Sequence, residues 1–313
     1  MDDLRKRIGI DIGGTNLRLA LVSDLKVVDE YRCHADFSAI CREYAPEAAW
    51  QRILDVTADA LHMMLERHPD VASIGIGFPG FIDPTHGIVL HSPNLPGLRD
   101  VDLAGELSRL LQRPVVVEND ANAAAYGEYR LHRGEIPSLI YLGLGTGVGG
   151  GLVVQGKLVT GDHGFAMEVG HLIVEAGGRH CGCGNRGCLE QYASASGVSL
   201  SYAEKTGKRL DADEIAGRAY EGDAAARTAF ERAGAALAQG LAHILRVVDV
   251  GNIVVGGGMS RAWPLLQPAF QHRLQQDLVP VMHGRVSVRT SDSGDHAGVI
   301  GAAALSAGRQ SRR

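Results

Sequence analysis

Between Glu168 and Glu190 the chain sets Glu168-Val-Gly-His171 ahead of Cys181-Gly-Cys183-Gly-Asn185-Arg186-Gly-Cys188-Leu-Glu190. Three cysteines in a glycine-rich knuckle with a histidine upstream offer three thiolates and one imidazole, the ligand set of a closed tetrahedral zinc site. The spacing assigns Cys181, Cys183, Cys188 and His171 to a structural metal. His180 is the rival fourth ligand, disfavoured because a ring adjacent to a ligand often cannot turn onto the same ion. Buried, inert thiols with no metal are the remaining alternative.

Two further groupings have the residue types for phosphate and proton chemistry. In Asp11-Ile-Gly13-Gly14-Thr15-Asn16, glycines let backbone N–H groups approach a phosphate, and a carboxylate at a strand end can hold Mg²⁺ through water. An ordinary hairpin turn explains the same residues. In Glu118-Asn119-Asp120-Ala-Asn122, a carboxylate follows a strand and precedes a helix. There Asp120 can take the proton of an attacking hydroxyl while Asn119 positions the substrate; the plain alternative makes Asp120 a helix cap. No glycine run ends in Gly-Lys-Ser/Thr, so there is no Walker A loop. The Gly145-Thr146-Gly147 run does not open a dinucleotide-binding βαβ unit, which disfavours a Rossmann dehydrogenase.

The elements that must carry these groups alternate in type. Residues 8–12 and 17–22 read as short strands around the 13–16 turn, residues 46–67 as an amphipathic helix, and 71–77 and 114–118 as strands, with helix over 123–129. Residues 8–22 align without a gap with residues 140–154, each being strand, glycine turn, strand. That repeat predicts a duplicated α/β unit. Helices follow over 212–222 and 224–248. A strand at 252–255 feeds Gly256-Gly257-Gly258 and another helix; a strand at 286–289, a helix at 297–307 and a frayed tail from 308 to 313 finish the chain.

The 313 residues and 45% hydrophobic content suffice for two cores. A net charge of -5 leaves no basic excess for nucleic acid or anionic membrane. The uncharged stretch 136–156 is long enough to span a bilayer, but its glycine density argues for a hairpin built on 139–144 and 152–154. Five cysteines, three of them clustered, and a charged N-terminus without a signal-peptide pattern point to a reducing, cytoplasmic setting.

Taken in order, Asp11-Ile-Gly-Gly-Thr15, Pro93-Asn94, Glu118-Asn-Asp-Ala-Asn122, Gly145-Thr-Gly-Val-Gly-Gly150, Glu168-Val-Gly-His171, the cysteine knuckle and Gly256-Gly-Gly258 resemble the ROK family of bacterial sugar kinases and related repressors. The resemblance spans nearly the whole chain. Within the family it looks most like the ATP-dependent glucokinases. It implies an actin-like/ribonuclease H-like ATPase fold with two domains flanking a cleft: residues 1–118, with the C-terminal helix of about 297–308 packed back on them, and residues 119–296 carrying the knuckle.

By the same resemblance, Asp120 is the general base on a sugar 6-hydroxyl, and Gly80, Asn94, Asn119, Glu168, His171 and Glu190 bind the sugar. Asp11 assists magnesium; Gly13, Gly14, Thr15, Asn16, Gly145, Thr146 and Gly147 surround the phosphates of ATP; Gly256, Gly257 and Gly258 lie near the adenosine. Asn16 stands where many relatives carry Lys, so it is assigned no phosphate-charge role. The family pattern also names His171 as the zinc ligand, its other ring nitrogen turned to the sugar. Relatives are commonly dimers or tetramers, so a homodimer or homotetramer is expected. The expected activity is glucose 6-phosphorylation; alternatives are kinases of N-acetylglucosamine, N-acetylmannosamine or fructose. A sugar-responsive repressor is disfavoured, because only ten residues precede Asp11 and repressors carry a DNA-binding domain there.

Overall fold

The structure is a computed structural model and describes residues 5–308. The charged residues 1–4 and the tail expected to fray past Gly308 lie outside the described residues. In chain order the elements are β1 (Arg7–Ile12), β2 (Asn16–Ser23), β3 (Lys26–His34), α1 (Phe37–Glu43), α2 (Pro46–Arg67), β4 (Ser73–Phe78), β5 (Phe81–Ile82), β6 (Val89–His91), β7 (Arg99–Val101), α3 (Leu103–Leu111), β8 (Val115–Asn119) and α4 (Asp120–Leu131). There follow β9 (Leu139–Leu144), β10 (Val148–Val154), β11 (Lys157–Leu158), α5 (Glu190–Ala193), α6 (Ala195–Thr206), α7 (Ala212–Glu221), α8 (Ala224–Val248), β12 (Asn252–Gly256), α9 (Trp263–Asp277), β13 (Ser287–Thr290) and α10 (Ala297–Gly308).

Two five-stranded sheets share one topology, β3-β2-β1-β4-β8 and β11-β10-β9-β12-β13, and β5-β6-β7 form a small third sheet. The equivalence of the two orders is the duplication that the repeated strand–turn–strand pattern predicts. In the first sheet β1 runs antiparallel to β2 and parallel to β4, which is parallel to β8. In the second, β9, β12 and β13 are parallel neighbours. The stretch 136–156 is largely the β9 and β10 strands, and no helix among the described residues is long and apolar enough to cross a membrane.

The chain divides into two compact units, residues 1–137 with 151–166 and 295–313, and residues 138–150 with 167–294. The first unit keeps α4, which the division after Glu118 assigns to the second part, and it contains α10. Its core joins Ile8, Ile10, Leu17, Leu19, Phe37, Ile53, Leu61, Ile74 and Phe78, all essentially unexposed. Glycines in the sheet bring α10 onto β1 and β4: a Cβ at Gly9 would stand 1.8 Å from Val299 O, and one at Gly75 would stand 1.8 Å from Ala302 O. The helix backbone therefore rests directly on the strands.

In the second unit α8 begins at Asp223, whose carboxylate accepts from the Ala225 and Ala226 N–H groups, and its alanine-rich buried face packs against α9. Not read from the sequence are β3, α1, α3 and α6, although α3 is amphipathic and buries Leu103, Ala104, Leu107 and Leu111. The β3 strand is partly exposed along its length and carries Lys26, Asp29, Glu30 and Arg32, so it lacks an apolar alternation.

Candidate active site and metal cluster

In the first unit the candidate residues lie on a strand end, a turn and a helix start. The Asn119 side chain accepts from the Asn122 N–H at 3.0 Å and so caps α4, which makes Asp120 the first helical residue rather than the cap. Asp120 Oδ1 accepts from the Ala121 N–H at 2.8 Å. A carboxylate at that end of a helix faces the positive pole of the backbone dipoles. Asn119 also donates from Nδ2 to Gly80 O at 3.0 Å. Gly80 has φ of +141°, a conformation suited to glycine, and a Cβ there would meet His91 O at 2.5 Å. Gly80 and Asn119 are thus one hydrogen-bonded pair. Asn94 is exposed, and its carbonyl accepts from Ser38 Oγ at 3.1 Å.

Sequence reasoning missed the brace beneath this pair. Glu118 is buried at 6% exposure, and its Oε1 accepts from the Asn119 N–H at 3.0 Å and from Asn122 Nδ2 at 3.2 Å. The available signal was a Glu and an Asn four residues apart across a helix start.

The 13–16 turn closes with Gly13 N–H donating to Asn16 O at 2.9 Å, and Ser38 N–H donates to Gly14 O at 2.9 Å. Thr15 and Asn16 are exposed and share a side-chain hydrogen bond of 3.1 Å. Asp11, at the end of β1, pairs in register with Arg18 on β2. Burial raises the Asp11 carboxyl above the usual aspartate range; Arg18 opposes this and Asp295 adds to it. A carboxylate that burial discourages from ionising is well matched to a cation.

In the second unit the four expected metal ligands come together. His171, Cys181, Cys183 and Cys188 place one donor atom each within 4.8 Å of all the others, and theirs is the metal-competent cluster among the described residues. His171 Nδ1 lies 3.6 Å from Cys181 Sγ, and Cys183 Sγ lies 3.6 Å from Cys188 Sγ. Sulfurs bound at about 2.3 Å to a tetrahedral zinc stand about 3.8 Å apart, so the donor set fits such an ion. Burial, reinforced by the neighbouring thiols, pushes the Cys188 thiol up to about 12, and burial also raises Cys181. Cys183 is the exception, lowered despite desolvation by hydrogen bonds with Asn185 and the neighbouring thiols, while the Cys181 and Cys188 thiolates need a cation to offset their charge. His180 is outside the cluster and meets Arg186, its Nε2 standing 2.7 Å from the guanidinium.

The second ring nitrogen of His171 points elsewhere: Nε2 lies 3.8 Å from Glu168 Oε2. Burial raises the Glu168 carboxyl, with His171 opposing and Glu190 reinforcing the rise. Glu190 opens α5, and its Oε1 lies 3.4 Å from Cys181 Sγ. Glu168, His171 and Glu190 therefore form one acidic–imidazole group contiguous with the metal ligands. Arg179, which sequence reasoning also missed, fastens the knuckle: it donates to Glu204 at 2.8 Å, to Ser201 Oγ at 2.9 Å and to the Gln191 carbonyl, and it stacks 4.7 Å from the Tyr192 ring centre.

The Gly145–Thr146–Gly147 turn closes with Gly145 N–H donating to Gly147 O at 3.0 Å, and Thr146 is exposed. Gly257 lies against it, since a Cβ there would meet Leu144 O at 2.4 Å. The 145–147 and 256–258 turns are therefore neighbours at the ends of β9 and β12.

The model of the ROK family matches residues 7–309. The chain belongs to the ROK family. Among its ROK relatives it is 33% identical over 317 residues to a glucokinase of Thermotoga maritima, covering 96% of each protein. It is 32% identical over 308 residues to an N-acetyl-D-glucosamine kinase of Salmonella heidelberg, covering 95% of this chain and 98% of that protein. The crystal structure of a ROK glucokinase from Streptomyces griseus, in complex with glucose and AMPPNP, superposes with a TM-score of 0.81 at 31% identity, covering 96% of this chain and 98% of that one. This is the actin-like/ribonuclease H-like ATPase fold of the family, built here from two compact units.

Proposed function

We propose that the chain is an ATP-dependent hexose kinase that converts glucose to glucose 6-phosphate. The observation that carries the reading is its likeness, over 96% of its length, to a glucokinase whose structure holds glucose and AMPPNP. In this reading the Asp120 carboxylate accepts the proton of the sugar 6-hydroxyl. The hydroxyl oxygen forms a bond to the γ-phosphorus, the bond from that phosphorus to the β,γ-bridging oxygen breaks, and ADP leaves with the electron pair.

Asn94, Asn119, Glu168, His171 and Glu190 hold the other hydroxyls, with Gly80 shaping the turn that Asn119 grips. Carboxylates and amides suit vicinal hydroxyls because each accepts or shares hydrogen bonds, and a partner lost from a closed site is costly. Residues 13–16 and 145–147 surround the phosphates, and 256–258 the adenosine. Magnesium, when bound with the nucleotide, neutralises phosphate charge, and Asp11 would hold it. Zinc is the ion that the His171, Cys181, Cys183 and Cys188 set suits, and it would fix the ring plane of a sugar-binding histidine. A cytoplasmic setting agrees with five cysteines that form no disulfide.

The second reading is a kinase of N-acetylglucosamine, which the 32% identity to such an enzyme favours. An ADP-release assay across glucose, mannose, fructose, N-acetylglucosamine and N-acetylmannosamine separates the two. Glucose is expected to give the highest kcat/KM. The highest value with N-acetylglucosamine would transfer the assignment, and no turnover with any hexose would end the kinase reading.

A further inference from the structure

Glu190 is held on several sides, and one of them is the 145–147 turn. A Cβ built on Gly147 would stand 2.7 Å from Glu190 Oε2, while Glu190 Oε1 faces Cys181 Sγ at 3.4 Å. Its own backbone is fixed: the Glu190 carbonyl accepts from Ser194 Oγ at 2.6 Å. The turn is tied to the same helix start, because Ala195 N–H donates to Gly145 O at 2.9 Å. Gly145 differs from Gly147, since a Cβ there meets nothing within 4 Å.

The geometry points to Gly147 as the seat of the Glu190 carboxylate, so that a turn assigned to the phosphates also positions a sugar ligand. The role of Glu190 as a sugar ligand rests on the kinase reading above. The physical step is short. A methyl group at Gly147 cannot share space with Oε2, and the far end of a flexible side chain yields before backbone does, so the carboxylate swings away and its hydrogen bonds to the sugar are lost. The absent side chain at position 147 is therefore a positioning device for sugar recognition.

The test is glucose binding by calorimetry without nucleotide, together with steady-state KM for glucose and ATP, on the full chain. Gly147→Ala is expected to weaken glucose binding without nucleotide about tenfold, the loss of one or two hydrogen bonds to a charged group, with KM for glucose rising in step whatever the change in KM for ATP, whose phosphates the same turn surrounds. Gly217→Ala, in α7 where an added Cβ likewise meets nothing within 4 Å, is expected to leave glucose affinity unaltered. In a Glu190→Ala background the added methyl has room, so the double variant folds and shows no further loss of sugar affinity. Unchanged glucose affinity in Gly147→Ala, or an equal loss in both backgrounds, would overturn the proposal. An unaltered protein that binds glucose without phosphorylating it overturns the kinase reading and leaves the seat standing.

Discussion

The β1–β2 and β9–β10 hairpins occupy the same places in two sheets of identical order, yet their aligned positions are put to different uses. Asp11 and Arg18, register partners in the first hairpin, align with Gly143 and Gly150 in the second. Gly9, over which the α10 backbone lies, aligns with Tyr141, whose own side chain fills the space over Gly256. The first hairpin puts charge at the turn; the second strips side chains away so that other segments approach. A Cβ at Gly150 would meet Met167 O at 2.8 Å, and one at Gly147 would meet Glu190. Duplication supplied the framework, and side-chain size at aligned positions divided the labour: in the proposed reading the first unit carries the proton chemistry with part of the sugar ligation, and the second adds the carboxylate–imidazole grip beside the cysteine cluster.

The most severe test of that division is Asp120→Asn. It removes the proposed base and almost no volume, so kcat should fall by about 10²–10⁴-fold while calorimetric affinity for glucose stays within a few-fold of wild type. Near-normal turnover would remove Asp120 from the proton step and with it the first unit's share of the comparison. On the other side, Cys183→Ser deletes a proposed metal ligand that is exposed, and so disturbs the core least. Metal content by elemental analysis should drop and KM for glucose should rise roughly tenfold, the size of loss typical when a metal site no longer fixes its histidine, with kcat changed less. A fall confined to kcat would mean that the two units do not divide the work as drawn.

The candidate metal cluster was legible because its residues are local: Cys181, Cys183 and Cys188 lie on one tight loop, with His171 a short way upstream. The helices α2 and α8 were legible by periodicity, and the repeat pointed to a duplicated α/β unit, which the two sheets of one strand order display. What the sequence hides are relations across distance. That Asn119, and not Asp120, caps α4 depends on a one-residue choice that either side chain satisfies chemically. Glu118 reads as the last residue of a strand, and its role emerges only when Asn122 folds back over it. Gly147 reads as one more turn glycine; its contact with Glu190, far along the chain, needs the fold.

The smallest expected effect sharpens the comparison at its source, the carboxylate that the second hairpin lacks. Burial holds the Asp11 carboxyl above its ordinary value near 3.8, against the pull of Arg18. The folded chain then keeps this proton to higher pH than the unfolded chain does, so the group's contribution to stability is fully present below about 3.8 and is lost as pH rises through the folded value. At neutral pH, without nucleotide or magnesium, the raised Asp11 carboxyl is a cost that Gly143 does not impose on the other hairpin. Asp11→Asn should therefore melt above wild type at pH 7, and the gap should close as the pH is lowered toward 4. A variant that melts below wild type at pH 7 would show that the attraction of Arg18 outweighs burial, and that the charged turn is held for stability as much as for a cation.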